Sequence, residues 1–260
     1  LPLWHDPRWI ADDEKPRGFG PEQAQAFAAE LTRRLGVGTD RLIPGYEDVY
    51  YYLWKERTLP VNVDPLQFDL KDDEERRRLA LLLERGLHEV TGYALPLRWN
   101  PAAQKNGWFS GPWVLRREHL YLIPGDSPMG YRLPLTALPW VGETDREIPH
   151  PQSLFEFRAA LGDTHGEVMR RYSAFLQGEG GMARGDFREQ PALDQGSVIH
   201  TALCVEPREG HLYVFMPPLS QLEHYLDLLA CVEQTAAELR MPVLVEGYAP
   251  PPDWRVRKFA

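Results

Sequence analysis

Apolar residues recur at helical spacing in two long stretches of the chain. The first stretch follows Gly20-Pro21 and the second follows Ser220, and proline in the first turn or a polar residue before it is typical of a helix start. Weaker patterns predict helices over residues 47–57, from Asp72 or Asp73 to about 85, and over 154–161 and 165–177. The apolar positions of the two long stretches are Ala24, Phe27, Ala28, Leu31 and Leu35, then Leu222, Leu226, Leu229, Val232, Ala236 and Leu239.

Shorter segments alternate apolar and polar residues between prolines and glycines, and this pattern predicts β-strands. Such segments are residues 93–97, 120–123, 131–133, 199–206, 211–216 and 243–246. Residues 199–206 and 211–216 are expected to form a hairpin with Pro207-Arg208-Glu209-Gly210 as its loop. The order of elements predicts an α+β fold with helices packed on one face of a sheet.

The pattern divides the chain into three parts. Residues 1–140 form a helical and short-strand part, 141–197 a variable insertion or linker, and 198–260 a ββαβ part. Residues 254–260 alternate like the start of a strand, and the sequence has no initiator Met. We therefore expect a fragment of a larger domain, with a site that is incomplete.

Composition narrows the classes of function. The chain has 260 residues with 29 Lys+Arg against 38 Asp+Glu, a formal charge of −9, which disfavours nucleic acid and anionic membrane surfaces as partners. No apolar run approaches the roughly 20 residues that span a bilayer. Two cysteines exclude a disulfide scaffold and a Cys-rich zinc module; one disulfide stays possible, but a reduced cytoplasmic protein is the simpler expectation.

The predicted hairpin carries the first candidate site. Pairing Glu206 with His211 would place His200, Cys204, Glu206, His211 and Tyr213 on one face and apolar residues on the other. Glu206 and His211 are then either an ordinary cross-strand pair or part of a metal or phosphate site. Because Mg²⁺ prefers oxygen ligands, Glu206 could bind it, together with Glu246 if the strand of Glu246 lies nearby.

Two further segments could bind a ligand. The loop Pro124–Arg132 offers Gly125, Ser127 and Arg132 to a phosphate or carboxylate, or it is a turn fixed by its prolines. The helix over 47–57 is expected to turn Val49, Tyr50, Leu53 and Trp54 inward, although one of its tyrosines could line a cleft. Nucleophilic catalysis is disfavoured because Cys204 lies within a strand and Cys231 within a helix.

Several long motifs together resemble a known family. They are PGYEDVYYYLWKER at 44–57, LPVNVDP at 59–65, IPGDSPMGYRLPL at 123–135, TALCVEPR at 201–208 and LYVFMPP at 212–218. They resemble the amidoligase domain at the C-terminal side of large bacterial transglutaminase-like proteins. The resemblance covers nearly the whole chain except about 141–197.

The resemblance implies a curved antiparallel sheet of the glutamine-synthetase type. Such a sheet binds Mg²⁺ and ATP, and the enzyme joins a carboxylate to an amine on a peptide or amino-acid substrate. Within the matched motifs, we expect Glu206 to bind Mg²⁺, Arg132 or Arg208 to stabilise phosphate, and Ser127 and Gly125 to contact the nucleotide. Two residues outside these motifs are placed by their chemistry, Glu246 as a second Mg²⁺ ligand and His200 as a nucleotide contact. The adjoining transglutaminase-like domain is the expected partner, and its Cys/His/Asp chemistry is not assigned to Cys204 or Cys231. The alternative is a non-catalytic module that presents peptide to that domain.

Overall fold

The computed structural model describes residues 4–12, 14–58, 86–99, 107–115, 118–139, 157–177 and 198–256, together with 79, 81, 82 and 84. The α-helices with described bounds are α1 (Pro21–Arg34), α2 (Val49–Arg57), α3 (Thr164–Gln177) and α4 (Leu222–Leu239). Residues 79, 81, 82 and 84 are also helical, which agrees with the helix predicted over this stretch. The strands are β1 (Ile43–Tyr46), β2 (Val90–Pro96), β3 (Arg98–Trp99), β4 (Trp108–Phe109), β5 (Leu120–Tyr121), β6 (Ala202–Arg208), β7 (His211–Met216) and β8 (Leu244–Gly247).

The central sheet has six strands in the order β5-β1-β2-β6-β7-β8. The middle pairs are antiparallel, but β1 pairs with β5 and β7 pairs with β8 in parallel. The prediction of an antiparallel sheet is therefore wrong at both edges. Helix α4 connects β7 to β8, and such a crossover returns the chain to the same end of the sheet, so that the two strands run in parallel. The α+β class is confirmed.

Helices α1 and α4 cover one face of the sheet, which we call the helix face and define by Leu203, Val205, Leu212 and Val214. These residues are buried in one core with the apolar stripe of α1. Gly20 precedes α1, and its N–H donates to the Gln23 side chain at 2.9 Å. At the other end Gly36 adopts a positive φ of 73°, a conformation that stops the helix. The predicted α1 stripe is confirmed.

The opposite face is covered by loops and short helical turns. We call it the loop face and define it by Cys204, Glu206, Tyr213 and Phe215. Leu122, Met129, Leu133 and Leu138 form a second core there with Cys204 and Phe215. Residues 129–132 and 135–137 are short 3₁₀ helices. The strand predicted over 131–133 is therefore wrong, because these residues form a cover over the sheet and not part of it.

Four other predictions need correction. Tyr50, Leu53 and Trp54 of α2 are 50–59% exposed, and this helix instead buries Tyr52 against Leu79 and Leu82. Residues 157–161 are not helical, and residues 254–255 form a turn and no strand. Ser220 does not cap α4, whose N-cap is Gln221. The predictions for 59–65, for most of 72–85 and for 178–186 concern residues outside the described ranges.

A pair of glycines makes a notch in the loop face. Gly45 of β1 lies opposite Gly92 of β2, and the fully buried Met129 side chain lies against both residues. A β-carbon at Gly92 would stand 2.7 Å from Met129 Sδ, 2.7 Å from the Val205 carbonyl oxygen and 3.2 Å from Glu206 Cα. The Met129 side chain therefore fits into the notch only because neither Gly45 nor Gly92 has a side chain.

We predict that Gly92→Ala destabilises the protein by about 1–3 kcal/mol, the usual cost of overpacking. Gly45→Ala should cost less, because its nearest neighbour would be the flexible end of Met129 at 2.6 Å and no backbone atom within 3.4 Å. Gly125→Ala is the control, since a β-carbon there meets nothing within 4 Å. Urea unfolding measures all three, and equal stability of Gly92→Ala and Gly125→Ala would contradict the notch.

Candidate functional site

Strand β6 places Glu206 and Arg208 on the loop face. Glu206 pairs with Tyr213 and Arg208 pairs with His211, across a two-residue turn at Glu209 and Gly210. Both turn residues have positive φ, 50° and 79°, which is typical of a tight hairpin. The predicted pairing of Glu206 with His211 is wrong by two positions. A slip of two residues keeps the same side chains on each face, so the predicted faces agree with the structure.

Glu206 is a buried carboxylate with few partners. It is 5% exposed, its Oε2 accepts a hydrogen bond of 3.0 Å from the Met129 N–H, and Arg208 Nε lies 3.7 Å away. Burial raises the pKa of Glu206, and Glu246 adds to this effect, while Arg208, the Met129 N–H and Arg132 oppose it. A carboxylate whose ionised form is disfavoured in this way gains from a further cation, as many functional carboxylates do.

Arg208 connects Glu206 to Glu246. Its guanidinium forms an ion pair with Glu246 on β8 and lies over the Tyr213 ring at 3.8 Å from the centroid. Glu246 pairs in register with Phe215, so it projects from the same face as Glu206. Both side chains of the ion pair keep some exposure, 27% for Arg208 and 18% for Glu246. A ligand can therefore reach this ion pair from solvent.

Arg132 is buried and paired with a different carboxylate. Its guanidinium forms an ion pair with Glu47, both side chains being 5% exposed, and its Nε donates to the Ile123 carbonyl at 2.8 Å. Arg132 acts on Glu206 only through its charge. Glu47, which follows β1, escaped the sequence analysis. Glu47 could have been identified from its position directly after the strand that contains Tyr46, because functional side chains often lie at strand ends.

The two predicted phosphate contacts lie on the same loop as Arg132. We call residues 123–132 the site loop; the Ile123 N–H donates to the Arg132 carbonyl at 2.7 Å and closes it. Ser127 is exposed and Gly125 is half-buried beside open space. Closed surface loops of this length are frequently functional. The loop also supplies the Met129 N–H that binds Glu206, so its backbone is anchored at the site.

His200 lies away from these residues. It precedes β6, six positions before Glu206, and extended chain spans roughly 20 Å over that length. The structure therefore brings together Glu206, Glu246, Arg208, Arg132 and the site loop, but it does not bring His200 to them. We call Glu47, Arg132, Glu206, Arg208 and Glu246 the Glu206 cluster.

Three aromatic rings lie next to Glu246, and the sequence analysis did not single them out. Tyr131 contacts the Phe215 ring edge-on at 4.8 Å, and Tyr248 lies 5.9 Å from Tyr131 and 6.0 Å from Phe215. Tyr131 and Tyr248 are 53% and 44% exposed. Exposed ring faces beside charged groups can bind a flat organic group by stacking. Gly130 permits the arrangement, because a β-carbon there would stand 2.1 Å from the Phe215 ring.

The cysteines fit no nucleophilic role. Both are free and buried. Burial raises the pKa of Cys231 to about 12, and burial followed by the charges of Glu206 and Glu246 raises the pKa of Cys204 well above its ordinary value. The thiolate is the reactive form, so both thiols are disfavoured as nucleophiles at neutral pH.

The Glu206 cluster fits a divalent cation and an anionic ligand. It contains three carboxylates and two guanidiniums, so one negative charge remains without a full partner, and Glu206 is the least satisfied carboxylate. Carboxylate oxygens are the ligands that Mg²⁺ prefers, and guanidinium groups bind phosphate and carboxylate. The fold and site together define an α+β domain with a mixed-charge site on one face of its sheet.

Comparison with known families identifies the family of the chain. The chain matches, over residues 1–260, the model of the DUF2126 family, whose description is "Putative amidoligase enzyme". The chain belongs to this family. Neither a search of the curated proteins nor a search of the solved structures found a match. Within the described residues, none of the helices has the length and apolar character needed to cross a membrane.

We predict that Glu206→Gln stabilises the protein at pH 7. The raised pKa means that Glu206 contributes most to stability below its ordinary value of 4.5 and that this contribution is lost as pH rises through the folded-state pKa. The amide keeps an oxygen for the Met129 N–H and carries no charge. The melting temperature should rise by about 2–4 °C at pH 7, and the difference should vanish below pH 4.5.

Thermal unfolding of wild type and Glu206→Gln at both pH values measures this effect. Glu209→Gln is the matched control, because Glu209 is an exposed acid three positions away on the same hairpin. A lower melting temperature for Glu206→Gln at pH 7 would show that the ionised carboxylate stabilises the fold.

We also predict that Glu47→Ala destabilises the protein by about 3–5 kcal/mol, because it leaves the Arg132 charge buried without its partner. The double variant Glu47→Ala with Arg132→Ala should be less destabilised than the sum of the two single variants. Urea unfolding measures the cycle. Additive losses would mean that the two residues do not form an interacting pair.

Proposed function

We propose that the protein is an ATP-dependent carboxylate–amine ligase that acts on a peptide or amino-acid substrate, as the glutamine-synthetase-like ligases do. The observation that supports this most is the convergence of Glu206, Arg208 and Glu246 on the loop face, beside the site loop. The family description names an amidoligase. ATP use, the substrate and a cytoplasmic location beside a transglutaminase-like domain are our extensions of that description.

The proposed reaction has two steps. A carboxylate oxygen of one substrate attacks the terminal phosphorus of ATP, the bond to the bridging oxygen breaks, and ADP leaves. The nitrogen of the amine substrate then attacks the acyl carbon, phosphate leaves with the electron pair of its bond to carbon, and the nitrogen loses a proton. The products are an amide, ADP and phosphate. Such chemistry depends on positioning and on stabilisation of phosphoryl charge.

The residues of this chain take distinct roles in the proposal. Glu206 and Glu246 would hold Mg²⁺, which when bound neutralises phosphate charge. Arg208, which is accessible, binds the transferred phosphoryl group, and Gly125 and Ser127 of the site loop contact the phosphate chain. Arg132 is held by Glu47 and supports the site through its charge. His200 takes no part, because β6 separates it from the Glu206 cluster.

A second candidate function rests on α2. Tyr50, Leu53 and Trp54 are exposed there, and Tyr50 also contacts Tyr121 at 6.3 Å. An exposed aromatic surface suits peptide binding. In this alternative, the chain is a non-catalytic module that presents peptide to an adjoining transglutaminase-like domain, and the Glu206 cluster has only a structural role.

Titration calorimetry with Mg²⁺ and ATP distinguishes the two candidates. We expect saturable binding by wild type, at least tenfold weaker binding by Glu206→Gln and Glu246→Gln, and a similar loss for Arg208→Met. Because burial raises the pKa of Glu206, the affinity should fall at a higher pH than for an ordinary glutamate as the solution is acidified.

Glu209→Gln is the control, since it removes the same charge from the tip of the same hairpin, and its affinity should equal that of wild type. Binding that survives in Glu206→Gln would contradict the proposed cation ligand. A chain that binds a peptide mixture through α2 but does not bind Mg²⁺ and ATP would support the second candidate.

A further inference from the structure

A second cluster of possible metal ligands lies far from the Glu206 cluster in the fold. It consists of His5 from the N-terminal segment, His165 from the first turn of α3 and Glu233 from α4. One donor atom from each of these residues lies within 4.8 Å of the other two. Helix α4 packs on the helix face, whereas Glu206 projects from the loop face, so the two clusters are on opposite sides of the sheet.

Hydrogen bonds from the backbone hold the Glu233 carboxylate in place. Glu233 is 2% exposed, and its two oxygens accept hydrogen bonds from the backbone N–H groups of His5 at 2.8 Å and Asp6 at 2.5 Å. Each oxygen keeps a further lone pair. Metal-binding carboxylates are commonly hydrogen-bonded in this way, which orients them toward the ion.

The two imidazoles are neighbours. Their rings stack at a centroid distance of 4.4 Å with an angle of 14° between their planes. The backbone of His165 is held by Gln234, whose Nε2 donates to the His165 carbonyl at 2.9 Å. Within the part of the chain that the structure describes, neither ring has a side-chain hydrogen bond, so their nitrogens are not committed. His5 is exposed and can rotate toward an ion.

We propose that His5, His165 and Glu233 form a binding site for a transition-metal cation of the Zn²⁺ class. Two imidazole nitrogens and one carboxylate are a common set of zinc ligands, with water in the fourth position. The set disfavours Mg²⁺ and Ca²⁺, which require mostly oxygen ligands. By the general order of affinities, Cu²⁺ should bind more tightly than Zn²⁺ at such a site.

Bound metal would fasten the N-terminal segment to the helices. This segment already pairs with the residue that precedes β8, since the Ala11 N–H donates to the Val243 carbonyl at 2.9 Å and the Val243 N–H donates to the Trp9 carbonyl at 3.0 Å. The metal would add a link from residue 5 to α3 and α4. Because His5, His165 and Glu233 come together only in the folded protein, metal binding should stabilise the folded state.

Titration calorimetry of the untagged 260-residue chain with Zn²⁺ tests the proposal. We expect one saturable site in wild type, at least tenfold weaker binding in His5→Ala and in His165→Ala, and loss of the site in the double variant. His5→Ala keeps the backbone N–H that binds Glu233, so this variant retains the contact that holds the segment. Excess Mg²⁺ should not compete.

His88→Ala is the control, because His88 is an exposed histidine elsewhere in the chain, and it should bind Zn²⁺ as wild type does. A second measurement follows the melting temperature, which Zn²⁺ should raise in wild type and in His88→Ala but not in His5→Ala. If His5→Ala, His165→Ala and wild type bind Zn²⁺ equally, or if Zn²⁺ leaves the wild-type melting temperature unchanged, the stacked rings are a packing contact and the proposal is wrong. The outcome is independent of Mg²⁺ and ATP binding.

Discussion

Met129 lies in the notch between Gly45 and Gly92, and the arrangement of the Glu206 cluster depends on this contact. The Met129 side chain seals the second core, while its backbone N–H, on the same residue, binds Glu206. Three positions later Arg132 reaches Glu47. Two absent side chains on adjacent strands therefore determine where a loop meets the sheet, and so where its charges lie. Interiors pack densely enough that such a fit specifies one position.

The Glu206 cluster lowers the stability of the folded state. Three carboxylates and two guanidiniums share a largely buried region, and replacing such groups with apolar residues often stabilises a protein. Stability of this kind is commonly given up at functional sites. The helix face shows the contrast, because it consists of aliphatic residues packed against α1 and α4. The two faces of the sheet therefore have different roles. The helix face stabilises the fold through apolar packing, and the loop face positions the charged groups of the Glu206 cluster.

Local patterns predicted what depends on neighbouring residues and missed what depends on distant ones. The stripe of α1 and the two faces of the β6–β7 hairpin follow from periodicity, and the structure has both. The hairpin register did not follow, because a slip of two residues leaves the alternation unchanged. The parallel pairing of the edge strands β5 and β8 was also missed, because strand direction depends on the end of the sheet to which the connecting chain returns. The Glu47–Arg132 pair joins residues 85 positions apart, and no local spacing encodes such a contact. The exposed side of α2 was missed because this helix has large aromatic residues on several sides.

The attachment of the N-terminal segment has a consequence for synthesis of the protein. The backbone N–H groups of His5 and Asp6 meet the Glu233 carboxylate 228 and 227 positions later in the chain. At translation rates of 5–20 residues per second, the segment leaves the ribosome about 10–45 s before that carboxylate. Trp4 and Trp9, which pack against the finished core, stay exposed during this interval. Both tryptophans are therefore made well before α4 and can be buried only after that helix has been made, so that chaperones can bind them in the meantime.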